Sequence, residues 1–167
     1  MKKQGFTLIE LMVVIVIMGI LAAVAVPKLF GLIAKSKASE VGPAAGTYVK
    51  LQDAYFSEQN KYGGWGLIGY TAPGSEGSST SFKGTTFTYT AQDLGWNTET
   101  TDDVEKAWQA ENTETDLNDC PKGSKWTLDL ESVAAKLVTG YTPEIKAKSG
   151  GDANCEVLTP SFKKIGK

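Results

Sequence analysis

The feature that most constrains this chain is a long apolar run near its amino terminus. Residues 6–26 contain 18 apolar side chains out of 21, and the exceptions are Thr7, Glu10 and Gly19. As a helix, such a run rises by about 1.5 Å per residue and extends over about 32 Å, which matches the roughly 30 Å hydrocarbon core of a bilayer. The sequence therefore predicts a helix that crosses a membrane or packs in an equally apolar environment.

Three interpretations of this run compete. It is a secretory signal peptide with small residues at 23–25 as its cleavage site, a simple membrane anchor, or a retained helix that is processed between Gly5 and Phe6. Glu10 argues against the signal peptide, because a carboxylate at membrane depth costs at least about 2.5–3.5 kcal/mol to insert. A discarded segment gains nothing from this carboxylate, whereas a retained segment can use it with a positive partner.

Composition excludes several classes of function. The chain has a net charge of −2, and all 17 of its basic residues are Lys, so it contains neither His nor Arg. Without His, the Ser-His-Asp and Cys-His arrangements and the His-ligated zinc sites are excluded. A nucleic-acid-binding protein normally shows a positive charge and arginine forks for phosphate, and so no nucleic-acid partner is inferred.

The segment Gly-Phe-Thr-Leu-Ile-Glu-Leu at residues 5–11 follows a short lysine-containing leader and precedes an apolar helix that ends at Pro27. This arrangement resembles the amino terminus of bacterial type IV pilins and pseudopilins, and the likeness covers roughly residues 1–55. It implies a class III leader, residues 1–5, that a prepilin peptidase removes after Gly5 on the cytoplasmic side. It also implies methylation of the new amine on Phe6 and a retained helix that forms the filament core.

The resemblance also assigns roles within the helix. Glu10 governs assembly, and the physical reason is that the amine of Phe6 in one subunit can face the Glu10 carboxylate of a neighbour, which offsets the burial of both charges. Gly19 and Pro27 correspond to the family's helix-weakening positions. Glycine is a poor interior helix residue and proline lacks a backbone donor, so the chemistry agrees with this assignment.

Orientation follows less directly from charge. Lys2 and Lys3 favour a cytoplasmic amino terminus, but Lys28, Lys35 and Lys37 lie beyond the other end of the apolar run. The positive-inside count alone therefore leaves the orientation open. The resemblance implies a single-pass pool in the inner membrane with a cytoplasmic amino terminus, followed by an extracellular pilus.

Residues 28–62 predict an amphipathic continuation of the helix. Apolar residues recur at spacings of three, four and seven along one face: Ala34, Ala38, Val41, Ala45, Tyr48, Leu51 and Tyr55. This stripe is expected to pack on the protein's own sheet, with Asp53 among the residues of the opposite face. A kink is expected at Gly42–Pro43, and the helix is expected to stop near Asn60.

Residues 63–167 predict a globular head. The Gly/Ser/Thr-rich residues 74–81 indicate a surface loop, and alternation predicts a strand at 87–90. Residues 100–110 predict a short helix, and later strands are expected at 126–130, around 137–141 and at 156–162. A long helix followed by antiparallel strands gives an α+β fold, in which the helix lies on the sheet as in the ladle-shaped fold of pilins.

Two cysteines, Cys120 and Cys155, lie 35 residues apart. In a cytosolic enzyme such thiols could be catalytic, but a domain delivered across a membrane enters an oxidising compartment where a disulfide is the default. Closing such a loop adds roughly 4 kcal/mol in the chain-entropy model. Pilins that this chain resembles also commonly close a carboxyl-terminal loop in this way.

Few residues suggest other chemistry. Oxygen ligands at 116–119 and 150–154 could hold Ca²⁺, but neither spacing matches an EF-hand, so no cofactor is expected. Trp65 and Trp96, in glycine-flanked segments, are the candidates for an exposed carbohydrate contact, whereas Trp126 is expected in the core. No catalytic residues are predicted.

The leading interpretation is a structural subunit, resembling a type IVa-like major pilin, that polymerises with itself into an adhesive, motility or DNA-uptake pilus. Its implied partners are the prepilin peptidase and a pilus assembly platform. One alternative is a pseudopilin of a type II secretion system, and another is a secreted or tethered enzyme or carbohydrate-binding module.

Overall fold

The computed structural model describes residues 5–131 and 139–167, and it shows a long amino-terminal helical rod beside an antiparallel sheet. Helix α1 covers Leu8–Ala38, α2 covers Val41–Gln59, and a short helix α3 covers Asp152–Glu156. The strands are β1 Tyr62–Gly63, β2 Ser75–Ser78, β3 Ser81–Lys83, β4 Phe87–Thr90, β5 Glu99–Thr100, β6 Val104–Asn112, β7 Lys125–Glu131 and β8 Gly140–Lys146. A 3₁₀ turn at Phe162–Lys164 follows α3. The predicted α+β class is confirmed.

The break in the rod lies slightly before the expected kink. Helix α1 ends at Ser39, whose backbone N–H donates to the Lys35 and Ser36 carbonyls, and α2 begins two residues later at Val41. Pro43 stands in the first turn of α2, where a missing N–H removes no helical hydrogen bond. The expected stop is confirmed, because Asn60 caps α2 in the left-handed conformation with φ 55°.

The apolar stripe packs on the sheet as predicted. Its first five members are buried, and the last two are partly buried against the same core. Strand order is β2-β3-β4-β6-β7-β8, and each neighbouring pair is antiparallel. Between the rod and the sheet lie three fully buried indoles, Trp65, Trp108 and Trp126. Each indole N–H has an acceptor: the Ala107 carbonyl, the Tyr70 hydroxyl and the Thr159 hydroxyl, respectively.

The prediction of a helix at residues 100–110 is wrong, because residues Val104–Asn112 form β6, a central strand of the sheet. The register of β6 on β7 shifts between Val104 and Trp108, and Lys106 within that shift has φ 48°. Such a bulge adds a residue and disrupts the two-residue alternation of a strand. Val104, Ala107 and Trp108 are therefore buried at spacings that resemble one face of a helix.

Other expectations have mixed outcomes. The strands at 87–90 and 126–130 are confirmed as β4 and β7, whereas residues 74–81 form the β2–β3 hairpin rather than a plain loop. Of the strand expected around 137–141, residues 137 and 138 lie outside the described residues, and β8 begins at Gly140. The prediction of a strand at 156–162 is also wrong, because this segment contains the end of α3 followed by turns. Leu158 and Phe162 are buried there at helical spacing.

Candidate functional site

The start of α1 is built by Thr7 and Glu10. Thr7 caps the helix, and its hydroxyl oxygen accepts from the Glu10 N–H at 3.3 Å. In return, one carboxylate oxygen of Glu10 accepts from the Thr7 backbone N–H and from the Thr7 hydroxyl, each at 2.8 Å. This reciprocal capping box satisfies donors that the first helical turn leaves free. It holds the carboxylate of Glu10 at the helix start, next to Phe6, whose side chain is 90% exposed.

The first part of α1 projects from the head as an apolar shaft, which we define as residues 6–33. Its large apolar side chains are all exposed. The helical rod is long and apolar enough to cross a membrane, and no part of its most apolar window is buried in the protein. Glu10 is the sole acid between residues 5 and 38. Folding of one chain therefore leaves this surface to be covered by lipid or by other protein.

Gly19 and Pro27 both lie inside α1, and the helix runs through both positions without interruption. A Cβ placed on Gly19 would meet nothing within 4 Å. Packing inside one subunit therefore gives no reason for glycine at this position. The proposed role of these two residues, weakening the helix in an assembled filament, stays a prediction.

The predicted disulfide between Cys120 and Cys155 is confirmed. Both cysteines are fully buried. The bond joins the turn that pairs Leu117 with Cys120 to helix α3, and the side-chain amide of Asn154 adds a hydrogen bond to the Asp119 carbonyl at 3.3 Å. Two segments distant in sequence are thereby fixed together at the base of the head, beside α1.

In the two segments considered for Ca²⁺, aspartate side chains accept hydrogen bonds from nearby backbone N–H groups. Asp116 accepts from the Lys122 N–H and Asp152 accepts from the Ala147 N–H, each at 2.7 Å. Within residues 5–131 and 139–167, no group of three or more potential metal ligands comes together.

The tryptophan expectations are corrected in part. Trp65 is fully buried, because it packs edge-on against Tyr70 with ring centres 4.8 Å apart, so it is not an exposed ligand contact. Trp96 is partly buried against the core, and Trp126 is buried as expected.

Two polar residues on α2 have structural roles that the sequence did not indicate. Gln52 is fully buried and both donates to the Gly63 carbonyl at 2.6 Å and accepts from the Gly63 N–H at 3.2 Å. Asp53, expected on the exposed face, accepts from the Tyr141 hydroxyl at 2.7 Å and from the Thr139 hydroxyl at 2.6 Å. Both join the rod to distant strands, and such long-range partners leave no local signal in the sequence.

Comparison with known proteins finds similarity over part of this chain. Residues 1–26 match the family model described as the prokaryotic N-terminal methylation motif. The chain is 44% identical over 61 residues to the type IV major pilin protein PilA of Myxococcus xanthus, which covers 36% of this chain and 28% of that protein. Over this part of its length, the chain is similar to type IV major pilins. It is an apolar rod with an antiparallel head, as the resemblance implied.

Two further relatives also match over part of the chain. The fimbrial protein EcpC of Eikenella corrodens is 46% identical over 57 residues, which is 34% of this chain and 37% of EcpC. A type IV major fimbrial protein FimA of Dichelobacter nodosus is 56% identical over 39 residues, which is 23% of this chain and 25% of FimA. The chain thus spans between a quarter and somewhat over a third of the length of the relatives it matches.

Proposed function

We propose that this protein is the structural subunit of an extracellular type IV pilus, made as a precursor whose residues 1–5 are removed by a prepilin peptidase. Phe6 then becomes the methylated amino terminus, and the subunits polymerise through their apolar shafts. The observation that carries the proposal is the exposed apolar shaft with the single carboxylate of Glu10 one turn from Phe6.

The proposed course of assembly follows from this surface. Before assembly, the shaft spans the inner membrane with a cytoplasmic amino terminus. An assembly platform then moves it from lipid into contact with other shafts. In that apolar surrounding, an unpaired Glu10 carboxylate is strongly unfavourable, so pairing with the Phe6 amine of a neighbour selects one register. Adhesion, motility and DNA uptake are the activities proposed for the resulting fibre.

The structure suggests a sharper test of Glu10 than its removal. Glu10→Gln keeps the side-chain oxygen that closes the capping box but removes the charge, so we expect normal membrane insertion and cleavage with loss of filaments. Glu76→Gln, at an exposed carboxylate of the head, is the matched control and should assemble normally. Filaments are counted by electron microscopy of sheared material, and N-terminal sequencing reads the mature end.

Several outcomes would contradict the proposal. Normal filaments from Glu10→Gln would overturn the pairing with Phe6. A mature chain that begins near residue 26 would instead indicate a signal peptide. Shafts that form only short assemblies within the cell envelope, with secretion lost on deletion, would favour the pseudopilin alternative.

A further inference from the structure

Residues 28–37 of α1 and the head residues beside them form a mixed apolar and basic surface, which we call the basal collar. On the head side it includes Asn118, Asn154 and Val157, which are all exposed. Two open grooves between the rod and the head lie within it, with volumes of about 240 and 500 Å³. The disulfide holds together the two segments that form the head side of these grooves.

The apolar part of the collar extends the apolar surface of α1 beyond Val26. Four large side chains in the next two turns are exposed although the head lies close by: Leu29, Phe30, Leu32 and Ile33. On the head, Val157 is 69% exposed at the same level of the rod, where it lines one groove together with Gly31. Folding of one chain therefore leaves apolar groups of both the rod and the head in contact with the surroundings.

The lysines of the collar have no acidic partner. Helix α1 contains no acid between residues 11 and 39. Lys35 and Lys37 are exposed, and within the described part of the chain neither forms an ion pair. The acids at the base of the head, by contrast, have hydrogen-bond or ion-pair partners within the head: Asp116, Asp119, Asp152 and Glu156. The groups that are left for an external partner are therefore the positive ones.

The position of the collar along the rod places it at the surface of a bilayer. A hydrocarbon core of about 30 Å takes about 20 helical residues, so with the Glu10 carboxylate at one edge the other edge lies near residues 28–30. The headgroup layer extends roughly 5–8 Å further. Lys35 and Lys37 lie about 9–12 Å beyond the edge, and their side chains lean back toward it, because helical side chains point toward the amino terminus of the helix.

We propose that the basal collar docks the head on anionic phospholipid headgroups while the shaft spans a bilayer. The apolar side chains contact the boundary of the acyl region, and Lys35 and Lys37 contact lipid phosphates. This mixture of apolar and basic groups suits a membrane surface, which presents both kinds of partner within a few ångströms. Each lysine near an anionic surface raises the affinity by about fivefold. The inference rests on the proposed membrane-spanning state of the subunit, and it adds the class of lipid and the residues that bind it.

Quenching by a nitroxide on the lipid headgroup tests the docking in the full-length protein. The protein is reconstituted in vesicles of phosphatidylcholine and phosphatidylglycerol, with a fluorescent amino acid in place of Val157. The same replacement at Leu67 is the matched control, since Leu67 is also exposed and follows β1, whose Gly63 bonds to Gln52, about 30 Å further along the rod than Gly31. We expect at least twofold stronger quenching at position 157 than at position 67. This excess should fall by at least half in vesicles of phosphatidylcholine alone.

Charge substitutions separate docking from simple proximity of the head to the membrane. Lys35→Gln combined with Lys37→Gln should lower the excess quenching at position 157 by at least half in the phosphatidylglycerol vesicles. The matched control is Lys50→Gln combined with Lys106→Gln, at exposed lysines outside the collar, and it should keep the excess. Inorganic phosphate should lower the quenching no more than chloride does at equal ionic strength, because the collar binds a surface of many headgroups.

The outcomes that would overturn the docking differ from those that concern the shaft. Quenching at position 157 that is the same in both kinds of vesicle, or that is unaffected by loss of Lys35 and Lys37, would overturn the docking and leave insertion and filament formation intact. Specific competition by inorganic phosphate would overturn the assignment to a lipid surface. Extraction of the wild-type chain from vesicles by alkaline carbonate would show that the shaft does not span the bilayer, and would overturn the membrane-spanning state together with the docking.

Discussion

At Glu10, one carboxylate has a defined role before any neighbour arrives. Its two hydrogen bonds from Thr7 complete the start of α1 inside the single chain. Truncation of Glu10 to alanine would therefore remove a helix cap and a charge together, whereas glutamine separates the two effects. The free subunit needs no external cation to form this helix end, so the proposed pairing acts on assembly and not on folding.

Replacement of Gly64 and of Gly46 by alanine should have opposite effects on the free energy of unfolding. A Cβ on Gly64 would lie 1.8 Å from the Gly95 carbonyl oxygen, so Gly64→Ala must displace backbone and should lower the free energy of unfolding by about 1–3 kcal/mol. Gly46 lies within α2 with nothing within 4 Å of its Cβ position. Gly46→Ala should raise that free energy by up to about 1 kcal/mol through helix propensity.

Urea denaturation of the full chain in detergent micelles, followed by tryptophan fluorescence, measures both glycine variants. Equal midpoints for Gly64→Ala and wild type would show that the β1–β5 region rearranges without loss of stability.

At the scale of elements, the disulfide holds the base of the head where regular secondary structure is sparse. Cys120 follows a turn, and Cys155 lies in the five-residue helix α3. Neither segment pairs with a strand of the main sheet. The covalent bond therefore replaces the ladder hydrogen bonds that fix the other elements.

Removal of this bond should weaken the fold without changing its sheet. Replacement of both cysteines by serine should lower the free energy of unfolding by about 4 kcal/mol, because a 35-residue loop is released in the unfolded chain. Urea denaturation with and without dithiothreitol measures this loss. Wild type in reductant should match the double variant, and the double variant should be indifferent to reductant. An unchanged midpoint on reduction would contradict the assigned role.

The whole molecule is organised around a core rich in aromatic rings. Burial raises the pKa of the Tyr48, Tyr70, Tyr89 and Tyr141 hydroxyls. Glu40 beside Tyr89 and Asp53 beside Tyr141 raise the pKa of those two further. Three of these neutral phenols donate to the rod: Tyr70 to the Ala44 carbonyl, Tyr89 to Glu40 and Tyr141 to Asp53. Their ionisation is therefore coupled to the integrity of the fold.

This coupling predicts how the stability of the fold depends on alkaline pH. The folded pKa values lie above the unfolded value of about 10, so the native state binds more protons there. The stabilisation is complete below pH 10 and is lost as the pH rises through the folded values. Tyrosinate absorbance and far-ultraviolet circular dichroism, recorded together, should show late titration coincident with unfolding, and Tyr141→Phe should remove one late group. Titration of all six tyrosines near pH 10 with unchanged dichroism would contradict the coupling between tyrosine ionisation and unfolding.

Local patterns predicted those parts of the molecule whose structure is locally determined. The apolar run predicted the shaft, seven-residue spacing predicted the buried face of α2, and simple alternation predicted β4 and β7. At β6 the bulge at Lys106 replaced alternation with a helix-like spacing. Sequence analysis therefore placed a helix in the centre of the sheet.

The site was predicted unevenly for the same reason. Gly5, Phe6 and Glu10 belong to one contiguous motif, so their roles could be proposed without a structure, and those roles stay predictions. Trp65 was misplaced because its glycine neighbours indicate a loop, whereas its burial depends on Tyr70 and Tyr48 from other parts of the fold.

In the proposed fibre, the position of the break in the rod determines how tension reaches the head. Ala38 and Val41, on either side of the break at Ser39–Glu40, are both fully buried against the head. A pull along the shaft therefore reaches the head as shear across the packed face of α2, spread over many side chains at once. Among residues 5–131 and 139–167, no strand lies in series with that load, so the sheet need not unzip when the proposed fibre is stretched.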